Sequence, residues 1–263
     1  MAAITIALII FVSSAEAKEP RPTTQTLFIH QPNRDQQTLE KDAELIFERI
    51  RAAMNGDSVH LVTTNVNETI FTIDLPEKLN RFEKNKLEGK ARKALKTYFM
   101  GLLKNPPSPD LTVDIAGAIT TAMKRFNAKP HDEMRLVILS DGLQTETTFS
   151  WRGGFPGDSW TANPSSPFAD IEPNSQNVPL KVLMLATKTS FVDAYHASTI
   201  ERWYRLLFQT RKAHLVQFTF DHATVATLLR NGVEVKDSQP IEVDERALLG
   251  PLSFTTVKPL NSD

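Results

Sequence analysis

The stretch Leu136-Val137-Ile138-Leu139-Ser140-Asp141-Gly142 carries the strongest structural signal in this chain. Four consecutive apolar residues indicate a β-strand that is buried on both of its faces. The Ser-Asp-Gly that follows predicts a loop that presents the carboxylate of Asp141 at the carboxyl end of the strand. Open α/β sheets bind their ligands at this edge. Asp141 is therefore the first candidate site residue.

The order of the other elements predicts the fold class. Apolar strands alternate with amphipathic helices, of which the clearest are predicted over residues 38–54 and 114–126. Two strands, 59–64 and 69–75, are joined by a short polar turn and are expected to pair antiparallel. We therefore expect an α/β fold in three layers. It consists of a mostly parallel, doubly wound sheet with helices on both faces and one antiparallel edge strand.

The N-terminal residues have the pattern of a secretory signal peptide. An apolar run over residues 2–12 is followed by Ala15-Glu16-Ala17, which is typical of a cleavage site, although no Lys or Arg precedes the run. The run is too short for an ordinary membrane-spanning helix, which needs about 20 residues. We expect residues 1–17 to be removed on export. The mature protein would then be periplasmic or secreted, without a membrane span.

Composition limits the possible functions. The chain has 263 residues, a formal net charge of −1 and no cysteine. The lack of cysteine excludes thiol catalysis and cysteine metal sites, and export without disulfides favours a bacterial envelope protein. The lack of a basic excess argues against a nucleic-acid partner.

One domain is predicted over residues 18–235, followed by a C-terminal extension or tail over 236–263. Within the domain, residues 143–179 have no periodicity and are rich in proline and aromatic residues. Aromatic residues and arginine are typical of binding hot spots, and this segment leaves the sheet directly after Asp141. Alternatively, the aromatic side chains fold back over the end of the sheet as a satellite core. The residues concerned are Phe149, Trp151, Arg152, Phe155, Trp160 and Phe168.

Three segments of the chain resemble a von Willebrand factor A (vWA) domain. Residues 26–29 are similar to its first strand, and residues 113–119 are similar to the helix start that carries its metal-binding threonine. Ser140-Asp141-Gly142 resembles its Thr/Ser-Asp-Gly loop. The resemblance extends over roughly residues 24–230. It implies the fold described above and a function in protein–protein binding.

The vWA family binds Mg²⁺ through oxygen ligands in octahedral geometry. The ligands come from an Asp-x-Ser-x-Ser loop, a threonine and the aspartate of the Asp-Gly loop. The corresponding positions here hold His30, Pro32, Arg34, Val113 and Asp141, with Thr112 adjacent to Val113. Proline and valine offer no side-chain oxygen, and Arg34 would bring positive charge. We therefore expect a degenerate metal site without a cofactor, and we hypothesise that Arg34 forms a salt bridge with Asp141.

Two alternative functions remain. A bulged loop could rebuild a Mg²⁺ site from Asn33, Asp35 and Asp141, which would make the protein a metal-dependent binder. His30 with Asp141 could also act as a general base in a hydrolase. The chain has no Gly-x-Ser-x-Gly nucleophile elbow to support the second alternative.

The leading hypothesis is a non-enzymatic vWA-like component of the bacterial envelope that binds or assembles with a protein partner. Its binding surface would lie at the carboxyl edge of the sheet. The predicted partner-binding residues are His30, Arg34, Asp141, Trp151, Arg152, Phe155 and Trp160.

Overall fold

The computed structural model describes residues 22–109, 111–146, 149–151, 154–232, 234–235 and 240–256. The predicted signal peptide, residues 1–17, lies outside the described residues. Arg152 and residues 236–239 and 257–263 of the predicted C-terminal extension also lie outside them.

The described residues form a six-stranded central sheet with the order β3-β2-β1-β4-β8-β9. Only the edge strand β3 runs antiparallel to its neighbour, and the other pairs are parallel. This arrangement confirms the predicted fold class. The strands are β1 (Thr24–His30), β2 (Ser58–Thr63), β3 (Thr69–Asp74), β4 (Glu133–Leu139), β8 (Leu180–Leu185) and β9 (Ala213–Thr219). Three short strands lie between β4 and β8: β5 (Thr145–Glu146), β6 (Phe149–Ser150) and β7 (Gly154–Pro156).

The helices begin at polar residues that cap their first N–H groups. Asp35 accepts a hydrogen bond from the backbone of Thr38, and Asp114 accepts one from the backbone of Gly117. The helices are α1 (Gln36–Ala52), α2 (Arg81–Lys104), α3 (Ile115–Ala128), α4 (Ala194–Thr210), α5 (His222–Asn231) and α6 (Glu245–Leu248). No helix in the described ranges combines the length and apolarity needed to cross a bilayer.

The central strands are buried on both faces, and their alternating side chains separate two hydrophobic layers. Leu27 and Leu136 face α3 and α4 on one side of the sheet. Phe28 and Val137 face α1, α2 and α5 on the other side. The loops at the carboxyl edge therefore start from strands that are packed on both faces.

The aromatic segment 143–179 folds back onto the core. Trp151, Trp160 and Phe168 are all at most 3% exposed and belong to the layer that contains α3 and α4. Trp151 stacks on Phe168 with ring centroids 5.2 Å apart. Part of the C-terminal segment covers this cluster, because strand β10 (Phe254–Thr256) pairs antiparallel with β7.

Candidate functional site

A groove of about 490 Å³ opens at the carboxyl edge of the sheet, and we call it the upper groove. Loops after three parallel strands supply most of its lining, and Pro109 completes it. The lining residues are Gln31, Asn33, Arg34 and Asp35 after β1, Asp141 and Leu143 after β4, and Thr187 and residues 189–192 after β8. The fold thus places a concave site where open α/β sheets bind ligands.

Asp141 lies in the upper groove with only 9% of its surface exposed. Its Oδ1 accepts a hydrogen bond of 3.1 Å from the backbone of Leu143. No residue in the described part of the chain donates a hydrogen bond to its Oδ2. One oxygen of a nearly buried carboxylate is therefore available to a bound group.

Gln31 forms the floor of the upper groove beside Asp141. The Ser140 hydroxyl donates to Gln31 Oε1 at 2.7 Å, and the same hydroxyl accepts the backbone N–H of Gly142 at 3.0 Å. Gln31 is 5% exposed, and its Nε2 meets no acceptor among the described residues. The Ser-Asp-Gly turn therefore orients an amide donor as well as a carboxylate acceptor.

Arg34 forms its ion pair with Asp42, so the predicted Arg34–Asp141 salt bridge is wrong. Its Nη1 lies 2.9 Å from Asp42 Oδ2. Its Nη2 donates to Leu185 O at 3.3 Å and to Thr187 Oγ1 at 3.1 Å. The guanidinium turns toward Asp42 because that carboxylate is fully buried under the β1–α1 loop and has no water to solvate it.

Asp42 holds together a buried polar cluster. His222 Nε2 lies 2.8 Å from its Oδ1, and His30 Nε2 lies 3.5 Å from its Oδ2. Burial alone would raise the pKa of Asp42, but the Arg34 charge and the contacts with His222 and His30 outweigh it and hold that pKa well below its usual range. The sequence contained a signal for this cluster, since Asp42 falls between Leu39 and Ile46 on the buried stripe of α1.

His30 belongs to this cluster and not to the upper groove. Its side chain has no exposed surface, and its Nδ1 lies 2.9 Å from the Tyr98 hydroxyl. Burial lowers the pKa of His30, and the nearby Asp42 carboxylate offsets this only in part. The structure therefore corrects two predictions. The side chain of His30 neither reaches a partner nor pairs with Asp141 as a general base.

Asn33 and Asp35 lie in the upper groove with Asp141, and both already contact other groups of the protein. Asp35 uses Oδ1 to accept from Thr38 N and Oδ2 to accept from Thr38 Oγ1. Asn33 Nδ2 donates to Pro109 O at 3.2 Å, while its Oδ1 is buried without a partner. Within the described ranges, no three His, Cys, Asp or Glu side chains cluster in a way that could hold a metal ion.

The start of α3 is capped by a residue that sequence reasoning missed. Gln144 is fully buried, and its Oε1 accepts the backbone N–H groups of Ile115 and Ala116 at 2.8 and 3.2 Å. Its Nε2 donates to Asp114 Oδ1 at 3.1 Å. A single glutamine in an aperiodic segment gives no pattern from which this role could be predicted.

The tryptophans of the aromatic segment are core residues, which corrects their prediction as partner contacts. Trp151 packs against Trp203 of α4 with ring centroids 4.8 Å apart. Trp160 Nε1 donates to Ser253 O at 2.9 Å, so the C-terminal segment covers it. Phe155 is partly buried and contacts Tyr195, whose side chain is exposed at the start of α4.

The third wall of the upper groove comes from residues that sequence reasoning also missed. Thr187 and residues 189–192 follow β8 and include Phe191 and the exposed Val192. Asp141 can be predicted as a site residue because it follows a buried strand at its carboxyl end. The same rule, applied to β8, would have found this wall.

Comparison with known proteins gives little further information. No protein-family model matches this chain, and no curated protein matches it. Among solved structures, the chain is similar to a point mutant of the PilB minor pilin from Streptococcus sanguinis, with 9% sequence identity and a TM-score of 0.45. The match covers 82% of this chain and 62% of the pilin chain, so this chain spans less than two thirds of that protein's length.

Proposed function

We propose that this chain is an exported vWA-like protein of the bacterial envelope that binds a protein partner through the upper groove without a metal ion. One observation carries the proposal. A groove at the carboxyl edge of the sheet contains a nearly buried carboxylate, Asp141, with an unused oxygen. A concave site with a few oriented polar groups is what a specific ligand requires.

The character of the groove walls supports a protein ligand. Leu143, Phe191 and Val192 provide apolar surface, and Val192 is 44% exposed. Tyr195, close along the chain, is 65% exposed. Aromatic and apolar side chains around a polar anchor are typical of the centres of protein–protein interfaces.

Export and the family likeness are supported by the sequence. The pattern of residues 1–17 and the absence of cysteine favour an envelope protein. The likeness of residues 26–29, 113–119 and 140–142 to vWA segments favours a binding protein of that class. The replaced ligand positions and the contacts of Arg34 and Asp35 favour binding without metal.

A substitution that fills the groove without changing the charge of the protein tests this proposal. Thr189→Trp places a large side chain at the exposed Thr189 in the groove wall, and Thr227→Trp is the matched control on an exposed part of α5. Each variant is used as bait in bacterial envelope extract, with and without EDTA, and bound proteins are quantified by mass spectrometry. We expect Thr189→Trp to lose at least nine tenths of a partner that wild type and Thr227→Trp retain.

The same experiment separates the alternatives. Equal recovery by Thr189→Trp and wild type contradicts the proposal. Recovery that EDTA abolishes and added Mg²⁺ restores supports the metal-dependent alternative through Asn33, Asp35 and Asp141. Recovery that is unaffected by EDTA but lost in Thr189→Trp supports binding without metal.

A further inference from the structure

Among its described lining residues, the upper groove carries more negative than positive charge. Asp141 and Asp35 both line it. Arg34 is the cation among the described lining residues, and its charge is matched by Asp42 at 2.9 Å. Arg34 also acts on Asp35, whose pKa it helps to lower. Asp141 has no ion-pair partner among the described residues, so an anionic ligand would be repelled near it.

Two side chains in the groove are more than nine tenths buried and keep an unused polar atom. Asp141 Oδ2 is an acceptor, and Gln31 Nε2 is a donor. Asn33 Oδ1 also lacks a hydrogen bond, but it is closed to solvent. Asp141 Oδ2 and Gln31 Nε2 themselves remain open to solvent. A ligand that displaces this water must therefore supply the hydrogen bonds that the water made.

The apolar wall of the groove further restricts the chemical class of the ligand. Phe191 and Val192 lie in the same groove as Asp141. A small hydrated cation would leave this wall in contact with water. A peptide segment with a cationic side chain next to an apolar one would cover both surfaces.

We propose that the partner inserts an arginine or lysine side chain, flanked by an apolar residue, into the upper groove. The cation donates to Asp141 Oδ2. A main-chain carbonyl of the partner accepts from Gln31 Nε2, and the apolar neighbour packs on Phe191 and Val192. This inference rests on the proposed function and specifies the chemistry of the partner.

The first test measures ligand preference on the wild-type protein. The probes are three peptides, acetyl-Leu-Arg-Leu-amide and its analogues with citrulline or glutamate in place of arginine. Citrulline has the shape of arginine without its charge. Titration of isotope-labelled protein, followed by NMR, gives each dissociation constant. We expect the arginine peptide to bind at least tenfold more tightly than either analogue, with shifts at groove residues. Equal binding of the arginine and citrulline peptides, or preference for glutamate, overturns the inference.

The second test removes the charge of Asp141. Asp141→Asn keeps an oxygen to accept the Leu143 N–H, and Asp221→Asn is the matched control at the N-cap of α5. We expect Asp141→Asn to bind the arginine peptide at least tenfold more weakly and to bind the citrulline peptide with unchanged affinity. Its melting temperature should stay within a few degrees of the wild-type value. Unchanged affinity for the arginine peptide contradicts the inference. If Asp141→Asn does not fold, the peptide series on the wild-type protein still tests whether the groove prefers a cationic side chain.

The two proposals fail in different ways. If Thr189→Trp loses its partner and Asp141→Asn keeps it, the groove binds a protein but not through a cation. If both variants keep every partner, the proposed function and this inference are both wrong. Loss of the partner in both variants, with preference for the arginine peptide, supports both.

Discussion

Gly142 shows how one residue links the Ser-Asp-Gly turn to the core. Its φ of 75° lies in the left-handed region. A Cβ atom there would overlap Met184 and approach Tyr204 Cε2 to 2.7 Å. The Tyr204 hydroxyl also donates to Gly142 O at 2.6 Å. The glycine therefore serves packing as well as the turn that orients Asp141.

Gly142→Ala is expected to destabilise the protein by about 2–4 kcal/mol, because backbone strain adds to overpacking against Met184 and Tyr204. Gly89→Ala is the control, since Gly89 lies in α2 with open space around it and alanine favours the helix by about 0.5–1 kcal/mol. Urea denaturation measures both. A stability loss below 1 kcal/mol in Gly142→Ala would show that the turn tolerates a side chain.

Arg34→Met leaves the carboxylate of Asp42 buried beside His30 and His222 without its arginine partner. We expect a loss of about 3–5 kcal/mol in the free energy of unfolding, as for other broken buried ion pairs. Arg202→Met is the matched control, because Arg202 pairs with Asp158 at a half-exposed position and such pairs contribute at most about 1 kcal/mol. Similar losses in the two variants, by chemical denaturation, would contradict the role assigned to Arg34.

At the scale of elements, Gln144 secures the start of α3 against the loop after β4. Gln144→Ala removes two acceptor contacts from buried N–H groups, so we expect a loss of about 1–3 kcal/mol. The amides of Ile115 and Ala116 should also exchange with solvent faster. Hydrogen exchange followed by mass spectrometry measures this effect, with Gln36→Ala on the exposed start of α1 as the control. Unchanged exchange in the first turn of α3 would contradict the capping role.

The sequence predicted elements whose signal is local. Helices α1 and α3 follow from the spacing of apolar residues, and the β2–β3 hairpin follows from the turn between two apolar runs. The arrangement of segment 143–179 could not be predicted in this way. Its strand β7 pairs with β10 near the end of the chain, and Trp151 packs against a helix that begins more than 40 residues later.

At the scale of the whole molecule, buried histidines make stability depend on pH. Burial lowers the pKa of His60 to about 4, and burial also lowers the pKa values of His30 and His131. In the unfolded chain these side chains take up protons near pH 6.5. The contribution of these histidines to the free energy of unfolding is therefore fully present above pH 6.5. It is lost as the pH falls from 6.5 toward 4.

His60→Asn should flatten this pH dependence. The shift from 6.5 to about 4 corresponds to at most about 3 kcal/mol, lost over that interval in the wild type. His214→Asn is the control, because His214 is exposed on β9. The measurement is urea denaturation at several pH values. The prediction would be contradicted if the free energy of unfolding changed with pH by the same amount in His60→Asn and the wild type between pH 6.5 and 4.

Part of the candidate site could be predicted from the positions of the strand ends. Asp141, Asp35 and Asn33 meet in one groove because the carboxyl ends of parallel strands lie at one edge. The partner of Arg34 could not be predicted from strand ends, since it depends on how α1 rests on the sheet and places Asp42 beneath the loop. Long-range packing of this kind leaves no local pattern.

The contact between Trp160 and Ser253 joins positions 93 residues apart in the chain. A nascent polypeptide can form β1 to β4 and the helices around them before Ser253 has been synthesised. The cover over Trp160 must wait until Ser253 has been synthesised, and closing so long a loop is slow. The fluorescence of this tryptophan should therefore report one of the final steps of folding, after the central sheet has formed.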